Sequence, residues 1–452
     1  MRGHTFGKDW TKGSIVGNVL LLSWPIIVNQ SLNMIGPTVD LIWVGKLGAT
    51  PIAGVGVAGM AVMLVNSMML GLAVGVRAMV ARFVGAGDYS GANHIARQGF
   101  VIGASIAVIL ATIGIFFTEQ LLMLFGLEPN VVIEGAAYMR IMFVGSVTMA
   151  FRTISESIMQ SSGDPVTPMK IAIIFRLFHV VFCPFLVFGW WIFPQLGVSG
   201  AALTNVIAQT LGLILALWVL ISGQTRLRLS LRNFRLDPHT IWRIVKIGIP
   251  SSIMSTERSL GHLVLMWFMV PFGTLAVAAH TLCQRVDMIL IMIGIGLGHG
   301  AGVLVGQNLG ALKPERAERS AWIATSLAEI FAITCSLAIL LWAEGIVRIF
   351  STDPEIVELT AIFLRIGVAG YMIMGFPSVL QNSISGAGDT VPPMLFTLLV
   401  IWLVQIPLAF ILPQVAGLGV FGVRWAIVVG MIVGAAAYIV YFKLGRWKRK
   451  EV

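Results

Sequence analysis

Asp40 is the only charged residue between Lys12 and Lys46. Those 34 residues would reach about 50 Å as a continuous helix, longer than the ~30 Å hydrocarbon core of a bilayer. The segment must therefore tilt or bend, and Pro37, three residues before Asp40, is its natural bend point. Asp40 lies about 9 Å inside the outer end. A carboxylate at that depth has little water to stabilise its charge, so it is by default a site for a proton or a cation. The alternative is a solvated residue at a helix end. Arg152 and Glu156 are spaced i, i+4 and can neutralise one another on a helix. His280, Gln284 and Asp287 share one helical face; they line a cavity or form a packed polar seam.

The elements that carry these groups follow from composition. Of 452 residues, 57% are hydrophobic and 11% charged, with mean hydropathy +0.92. Soluble domains carry about 25% charge, so lipid is the solvent here. Residues 52–76 have no charge, and a run of roughly 20 such residues spans a bilayer as a helix. Backbone groups in lipid must be satisfied within their own segment, which makes these runs helices. The alternation of a membrane barrel is absent. Twelve spans are expected, near 15–45, 52–76, 98–118, 135–159, 171–193, 197–222, 247–270, 272–306, 321–343, 359–384, 393–412 and 419–442. The first has no small-residue cleavage site after it and is read as a span rather than a removable signal. Cys183, Cys283 and Cys335 all sit in apolar stretches, where small core residues are expected rather than disulfides or metal ligands.

Lys and Arg cluster on one side of that layout. They occupy the N-terminal tail (Arg2, Lys8, Lys12), the connection after the second span (Arg77, Arg82, Arg97) and the linker (Arg226, Arg228, Arg232, Arg235, Arg243, Lys246). The connection after the eighth span and the C-terminal tail repeat the bias, while the opposite side has only Lys46 and Arg348. Both termini are therefore expected to be cytoplasmic. The net charge of +10 follows from this bias and calls for no nucleic-acid partner.

The chain also repeats itself. SSGDPVTPM at 161–169 returns as GAGDTVPPM at 386–394, a shift of 225. The same shift lays Pro25 on Pro250, Gly48 on Gly273, Gly75 on Gly300, Pro129 on Pro354 and Arg140 on Arg365. Two units of six spans enter the membrane in the same direction, so they are parallel repeats about an axis along the membrane normal. The expected fold is an all-α membrane protein of twelve transmembrane helices in two six-helix lobes, 1–222 and 247–452, joined by a basic cytoplasmic linker, 223–246. Glycine and aspartate suit the duplicated turn, and proline suits the start of the next helix. Under the shift Asp40 meets Leu265, so one lobe has the acid and the other does not.

The segments PTVDLIWVGKLGATPIAGVGVAG (37–59), AAH (278–280), LVGQNLGA (304–311), LGVSGAA (196–202) and the paired Gly-Asp turns resemble the multidrug and toxic compound extrusion (MATE) family, and most of all its DinF-like branch, marked by an acid in the first helix. The resemblance implies a twelve-helix exporter that exchanges H⁺ or Na⁺ for organic, often cationic, compounds. The family's helix 5 pattern N-x-x-L-D-P falls here on HVVFCP: its Asn becomes His179 and its Asp becomes Cys183. The second acid of the usual polar cluster is thus missing, and His179 either titrates in its place or is an inert buried histidine. Thr204 and Asn205 are candidates to hydrogen-bond Asp40. Glu257 stands where Na⁺-dependent relatives have a cation-coupling Glu, but Met374 replaces their acidic partner. Glu257 is then either a coupling group or one half of a static pair with Arg258, Arg285 or His262.

The expected function is a secondary active multidrug exporter, a proton-coupled antiporter of amphipathic organic compounds working by alternating access. Asp40 is the expected proton carrier, with Asn33, Pro37, His179, Thr204, Asn205, Glu257 and Arg285 in support. No metal or organic cofactor is expected; the coupling ion is H⁺, with Na⁺ as the alternative. Expected partners are small organic substrates and the bilayer of the cell (inner) membrane, with one chain forming the whole pathway. The runner-up is a lipid-linked glycan flippase, to which Arg152, Arg176 and Arg285 would offer a cationic cavity. GVGVAG (54–59) lies inside a lipid-length helix and no Walker A motif is present, so ATP is not the expected energy source. No nucleophile and base are spaced to suggest an enzyme.

Overall fold

Long apolar runs punctuated by Gly, Pro and Asp at their ends become helices. The computed structural model describes residues 8–123, 128–230 and 234–452; Arg2 and Arg232 lie outside them. Helices α1 (Ile15–Val44), α2 (Ala49–Gly85), α3 (Tyr89–Phe116), the short α4 (Thr118–Met123), α5 (Pro129–Val144), α6 (Ser146–Ser162), α7 (Val166–Phe188) and α8 (Gly197–Ser222) come first. Then follow α9 (Pro238–Trp267), α10 (Thr274–Gly310), α11 (Pro314–Arg348), α12 (Pro354–Tyr371), α13 (Gly375–Gly386), α14 (Val391–Leu398), α15 (Ile406–Gln414) and α16 (Val420–Leu444). Among the described residues there is no β-strand. Helix α1 runs unbroken through Pro25 and Pro37, and a widened turn at Leu399–Gln405 joins α14 to α15.

Among the described residues nine helical segments are long and apolar enough to cross a membrane, and two more spans are bent pairs: α5 with α6 at 46° and α12 with α13 at 50°. Helix α9 is the remaining long one. Its 30 residues suffice to cross, but Ser255, Thr256, Glu257, Arg258 and Ser259 in unbroken order lower its hydropathy. With it the layout is the expected twelve spans in two sixes.

The chain forms two compact units. Unit 1 takes Val28–Gly248; unit 2 takes Trp10–Ile27 and Ile249–Val452. The boundaries therefore fall inside the first helix of each repeat rather than in the linker. In unit 2, Gly296 and Gly300 let Ile27 and Ser23 of α1 approach the backbone of α10; a Cβ would stand 2.2 Å from each. In unit 1, Gly75 does the same for the carbonyl of Ile244 on α9, at 2.5 Å. The N-terminal segment is fastened within unit 2, where Lys313 Nζ donates to the Thr11 carbonyl at 3.0 Å and Arg316 to that of Gly13 at 2.8 Å.

The duplication is visible in side chains as well. Arg140 pairs with Glu119 at 2.9 Å in unit 1, and Arg365 pairs with Glu344 at 3.5 Å in unit 2; both partners obey the 225 shift. The duplicated turn keeps its backbone but not its bonds. Asp164 accepts from the Thr167 amide at 3.0 Å and hydroxyl at 2.6 Å, whereas Asp389 is held by Tyr441 and by Lys450 of the C-terminal tail.

Candidate functional site

Asp40 is 1% exposed and receives a donor from each of three helices of unit 1. Its Oδ1 lies 2.9 Å from His179 Nε2 on α7, and its Oδ2 accepts from the Tyr138 hydroxyl on α5 at 3.0 Å and Asn205 Nδ2 on α8 at 3.1 Å. The Cys183 thiol adds a weak contact to Oδ1 at 3.9 Å. Helical spacing explains the convergence: His179 and Cys183 lie four apart on one face of α7, as do Asn205 and Gln209 on α8. Gln209 in turn donates to Asn205 Oδ1 at 2.9 Å, which fixes that amide with its nitrogen toward Asp40.

Arg176 fixes the histidine. Its Nη1 lies 3.1 Å from His179 Nδ1. A guanidinium can only donate, so Nδ1 accepts and the ring proton sits on Nε2, pointing at Asp40. The network thus assigns a neutral His179 and an Asp40 that accepts from every neighbour, the pattern of a carboxylate. Addition of a second proton to His179 would set Nδ1–H against the guanidinium. Room for Arg176 comes from Gly36, one helical turn before Asp40 on α1: a Cβ there would lie 2.1 Å from Nη1 and 2.7 Å from Cζ.

Asp40, His179 and Cys183 offer ligand atoms within 4.8 Å of one another, a donor set that suits a metal. The proton on Nε2 occupies the lone pair that would bind one, so as assembled the three groups are a hydrogen-bonded network.

Beyond Arg176 the polar interior continues. Arg152 bridges to Glu156, and the guanidiniums of Arg152 and Arg176 lie 4.8 and 5.2 Å from the ring centroid of buried Phe175. Arg77 lies within electrostatic reach of Glu156. Arg77, Arg152 and Arg176 are each under 10% exposed, and in each Nε has no hydrogen-bond partner.

Not every expected residue reaches Asp40. The Thr204 hydroxyl turns back to the Gly200 carbonyl at 2.6 Å, the usual alternative for a threonine inside a helix. Asn33 donates to Asn29 at 3.1 Å, and Pro37 is exposed. Arg285 is exposed as well, which removes it from any buried cavity. Glu257 is 5% exposed and has the Trp402 side chain in hydrogen-bonding reach; Arg258 is bonded instead to Gln381 at 2.8 Å. No expected ion pair forms at Glu257.

Unit 2 has a different centre. Asp287 on α10 accepts from the Tyr371 hydroxyl and pairs with Arg424 on α16 at 3.4 Å. His280 and Gln284 are 3.2 Å apart on the same helix, a polar seam. Tyr138, Tyr371 and Arg424 were not singled out by sequence. The available signal was scarcity: the chain has five tyrosines, and three of them (Tyr138, Tyr371 and Tyr438) are buried.

Comparison with known proteins adds an independent layer. The sequence model of the MatE family matches residues 25–185 and again 250–411, the second match starting 225 residues after the first. The chain is 24% identical to a probable multidrug resistance protein NorM of Thermotoga maritima, over 96% of this chain and 93% of that protein. In three dimensions it resembles a crystal structure of a MATE protein in its bent conformation, with TM-score 0.89, 23% identity and coverage of 97% and 96%. It also resembles a MOP superfamily transporter of Pyrococcus furiosus described as having a binding pocket of reversed polarity, with TM-score 0.90, 22% identity and coverage of 98% of both chains.

Proposed function

The chain belongs to the MATE family of transporters, and from that premise we propose that it is a proton-coupled multidrug exporter in which Asp40 carries the proton. The observation that carries this reading is the buried Asp40 carboxylate with its shell of donors from α5, α7 and α8. A proton arriving on Asp40 turns an acceptor into a donor, and at least one of those neighbours must then turn away or lose its bond. Protonation therefore alters how α1 packs against α5, α7 and α8. A substrate that favours the charged arrangement is released when the proton binds, and the linkage runs equally in reverse. On the same reading the protein lies in the cell membrane with both termini cytoplasmic, acts as a single chain and needs no organic cofactor.

The test is dye efflux from proteoliposomes under an imposed pH gradient and, separately, an imposed Na⁺ gradient. Efflux driven by the pH gradient alone, and abolished in Asp40→Asn while dye binding persists, is expected. Efflux driven by Na⁺ alone, or an Asp40→Asn protein that keeps its response, overturns the assignment and turns attention to Glu257.

A second reading concerns the cargo. Arg77, Arg152 and Arg176 outnumber Glu156 and Asp40 in the interior of unit 1, and buried charge calls for a counter-charge. An anionic substrate, including the pyrophosphate of a lipid-linked glycan, would supply it. The reversed pocket polarity described for the Pyrococcus protein is a precedent on the same fold. Competition of anionic against cationic dyes in the same vesicles decides between the two.

A further inference from the structure

Glu329 is the only charged residue between Arg319 and Glu344, near the middle of the 35-residue α11, and it is 8% exposed. Its Oε1 accepts the backbone N–H of Phe376 at 2.9 Å, and the N–H of Gly375 also bonds to it. Its Oε2 has no partner. Gly375 and Phe376 are the first residues of α13, just past the 50° break with α12.

A helix that starts inside a membrane leaves orphan N–H groups with no water to take them. Helix α13 has no side-chain cap of its own, and Pro377 removes one donor from its first turn. The Phe376 N–H reaches the Ile373 carbonyl only at 3.3 Å and Glu329 at 2.9 Å, so its shorter bond crosses the helix interface to a carboxylate at the positive end of α13. Gly375 makes the approach possible: a Cβ there would stand 2.9 Å from Oε1 and 3.0 Å from Ala328 Cβ. The other unit breaks between α5 and α6 without such a device, since the counterpart of Glu329 under the 225 shift is Ala104.

The ionisable groups around Glu329 are engaged elsewhere or turned away. Helix α13 has none. On α12, the Tyr371 hydroxyl is bonded to Asp287 and Arg424, and Arg365 lies ten residues before Gly375. On α10, Leu297 and Ala301 share a cluster with Ala324 and Ala328, and at about 100° per residue His299 lies on the far side of that helix. Lys12, ahead of α1, is level with the start of α11, because Lys313 bonds the adjacent Thr11. Helix α16 meets α11 at Trp322, two turns below, where Tyr441 is bound to Asp389.

We propose that Glu329 is a proton-binding site of this transporter whose charge is read out at the α12–α13 break. As a carboxylate it accepts only, and it caps α13. Protonated, it becomes partly a donor and a weaker acceptor, so the cap loosens. The site rests on the proton-coupled reading only for the source of its proton.

Hydrogen–deuterium exchange of the Gly375 and Phe376 amides, followed from alkaline to acid pH and corrected for intrinsic rates, tests this. Wild type should show two plateaus of protection differing about tenfold, the difference between a charge-assisted and an ordinary hydrogen bond. Glu329→Gln, which still accepts but cannot titrate, should show one plateau. Gly375→Ala, which displaces Oε1 while leaving the carboxyl in place, should lower protection at alkaline pH to the acid level. Asp40→Asn should keep the wild-type step, so failure at Asp40 and failure at Glu329 read out separately. A wild type without a step, or a Glu329→Gln protein that retains it, overturns the proposal.

Discussion

A single methyl group at Gly36 tests the Asp40 network without replacing any of its polar side chains. In Gly36→Ala the new Cβ would lie 2.1 Å from Arg176 Nη1, so the guanidinium must retreat by about 1.3 Å to reach van der Waals distance. Retreat is sterically easy, because the displaced atom is the far end of a flexible side chain. The cost is the bond it breaks: Nη1 to His179 Nδ1 is already 3.1 Å, and a shift of that size stretches it past hydrogen-bond length. A charge-assisted bond is worth about 1.5–3 kcal/mol, and 1.36 kcal/mol is tenfold in rate. With the histidine released from its tautomer, efflux driven by a pH gradient should fall about ten- to a hundredfold. Gly17→Ala on the same helix, whose Cβ would meet only Ser14 at 3.7 Å, should behave as wild type. The sharper assay is a double-mutant cycle. If Gly36 acts through the guanidinium, Gly36→Ala added to Arg176→Ala should cost nothing further. A Gly36→Ala protein with wild-type efflux, or full additivity with Arg176→Ala, would refute the account.

Other outcomes follow from the same geometry. Arg424→Met leaves Asp287 without its cation and should destabilise by about 3–5 kcal/mol, with Asp287→Asn/Arg424→Met recovering most of it, as read by thermal unfolding in detergent. Arg140→Gln and Arg365→Gln break the same half-exposed pair in each repeat, and each should cost no more than about 1 kcal/mol in that assay. The start of α9 should respond to pH. Asp237, ahead of Pro238, is held well below the usual carboxylate range by the Thr240 hydroxyl first and by His94 second. A depressed folded value means the clasp is intact above the ordinary aspartate value of about 3.9 and is lost as pH falls below it. Amide exchange at His239 and Thr240 should therefore stay slow from neutral to mildly acid pH and quicken only below that range, whereas Asp237→Ala should be fast throughout.

The spans and the duplication were legible because lipid enforces them: a charge-free run of bilayer length has one solution, and a repeated unit preserves its glycines, prolines and turn residues. Asp40 was legible for the same reason, as a lone charge in such a run. By that rule Glu329 was equally visible, since residues 321–343 contain no other charge. What sequence alone did not supply was convergence. Tyr138 and Arg176 meet the Asp40 site only through the packing of α1, α5 and α7, and a tyrosine in an apolar helix looks like any aromatic core residue. Thr204 looked as apt a donor as Asn205, but its short hydroxyl is captured by its own helix at Gly200, while the longer amide of Asn205 reaches across. Glu257 was expected either to couple or to pair; its obvious partner, Arg258, points to Gln381 instead.

Laid side by side, the two units share a scaffold and divide the chemistry. The 225 shift carries Arg140–Glu119 onto Arg365–Glu344, yet it carries Asp40 onto Leu265 and Tyr138 onto Phe363, both buried in one apolar cluster of unit 2. In the other direction Asp287 falls on Val62, Glu257 on Leu32 and Glu329 on Ala104. Each of these interior acids thus exists in one unit only, with an apolar residue at its counterpart. Burying a charge is costly unless a role or a partner compensates for it, so a duplicated chain that needed these acids only for packing would have no reason to place them at non-equivalent positions. The asymmetry fits two proton-responsive units that act on different helices: α1 against α5, α7 and α8 in the first, and the α12–α13 break in the second. A transporter built this way should lose its pH-driven efflux when Asp40 is neutralised and part of it when Glu329 is. Glu329→Gln is therefore the decisive comparison: a Glu329→Gln protein whose efflux under a pH gradient equals that of wild type would confine the coupling to the first unit.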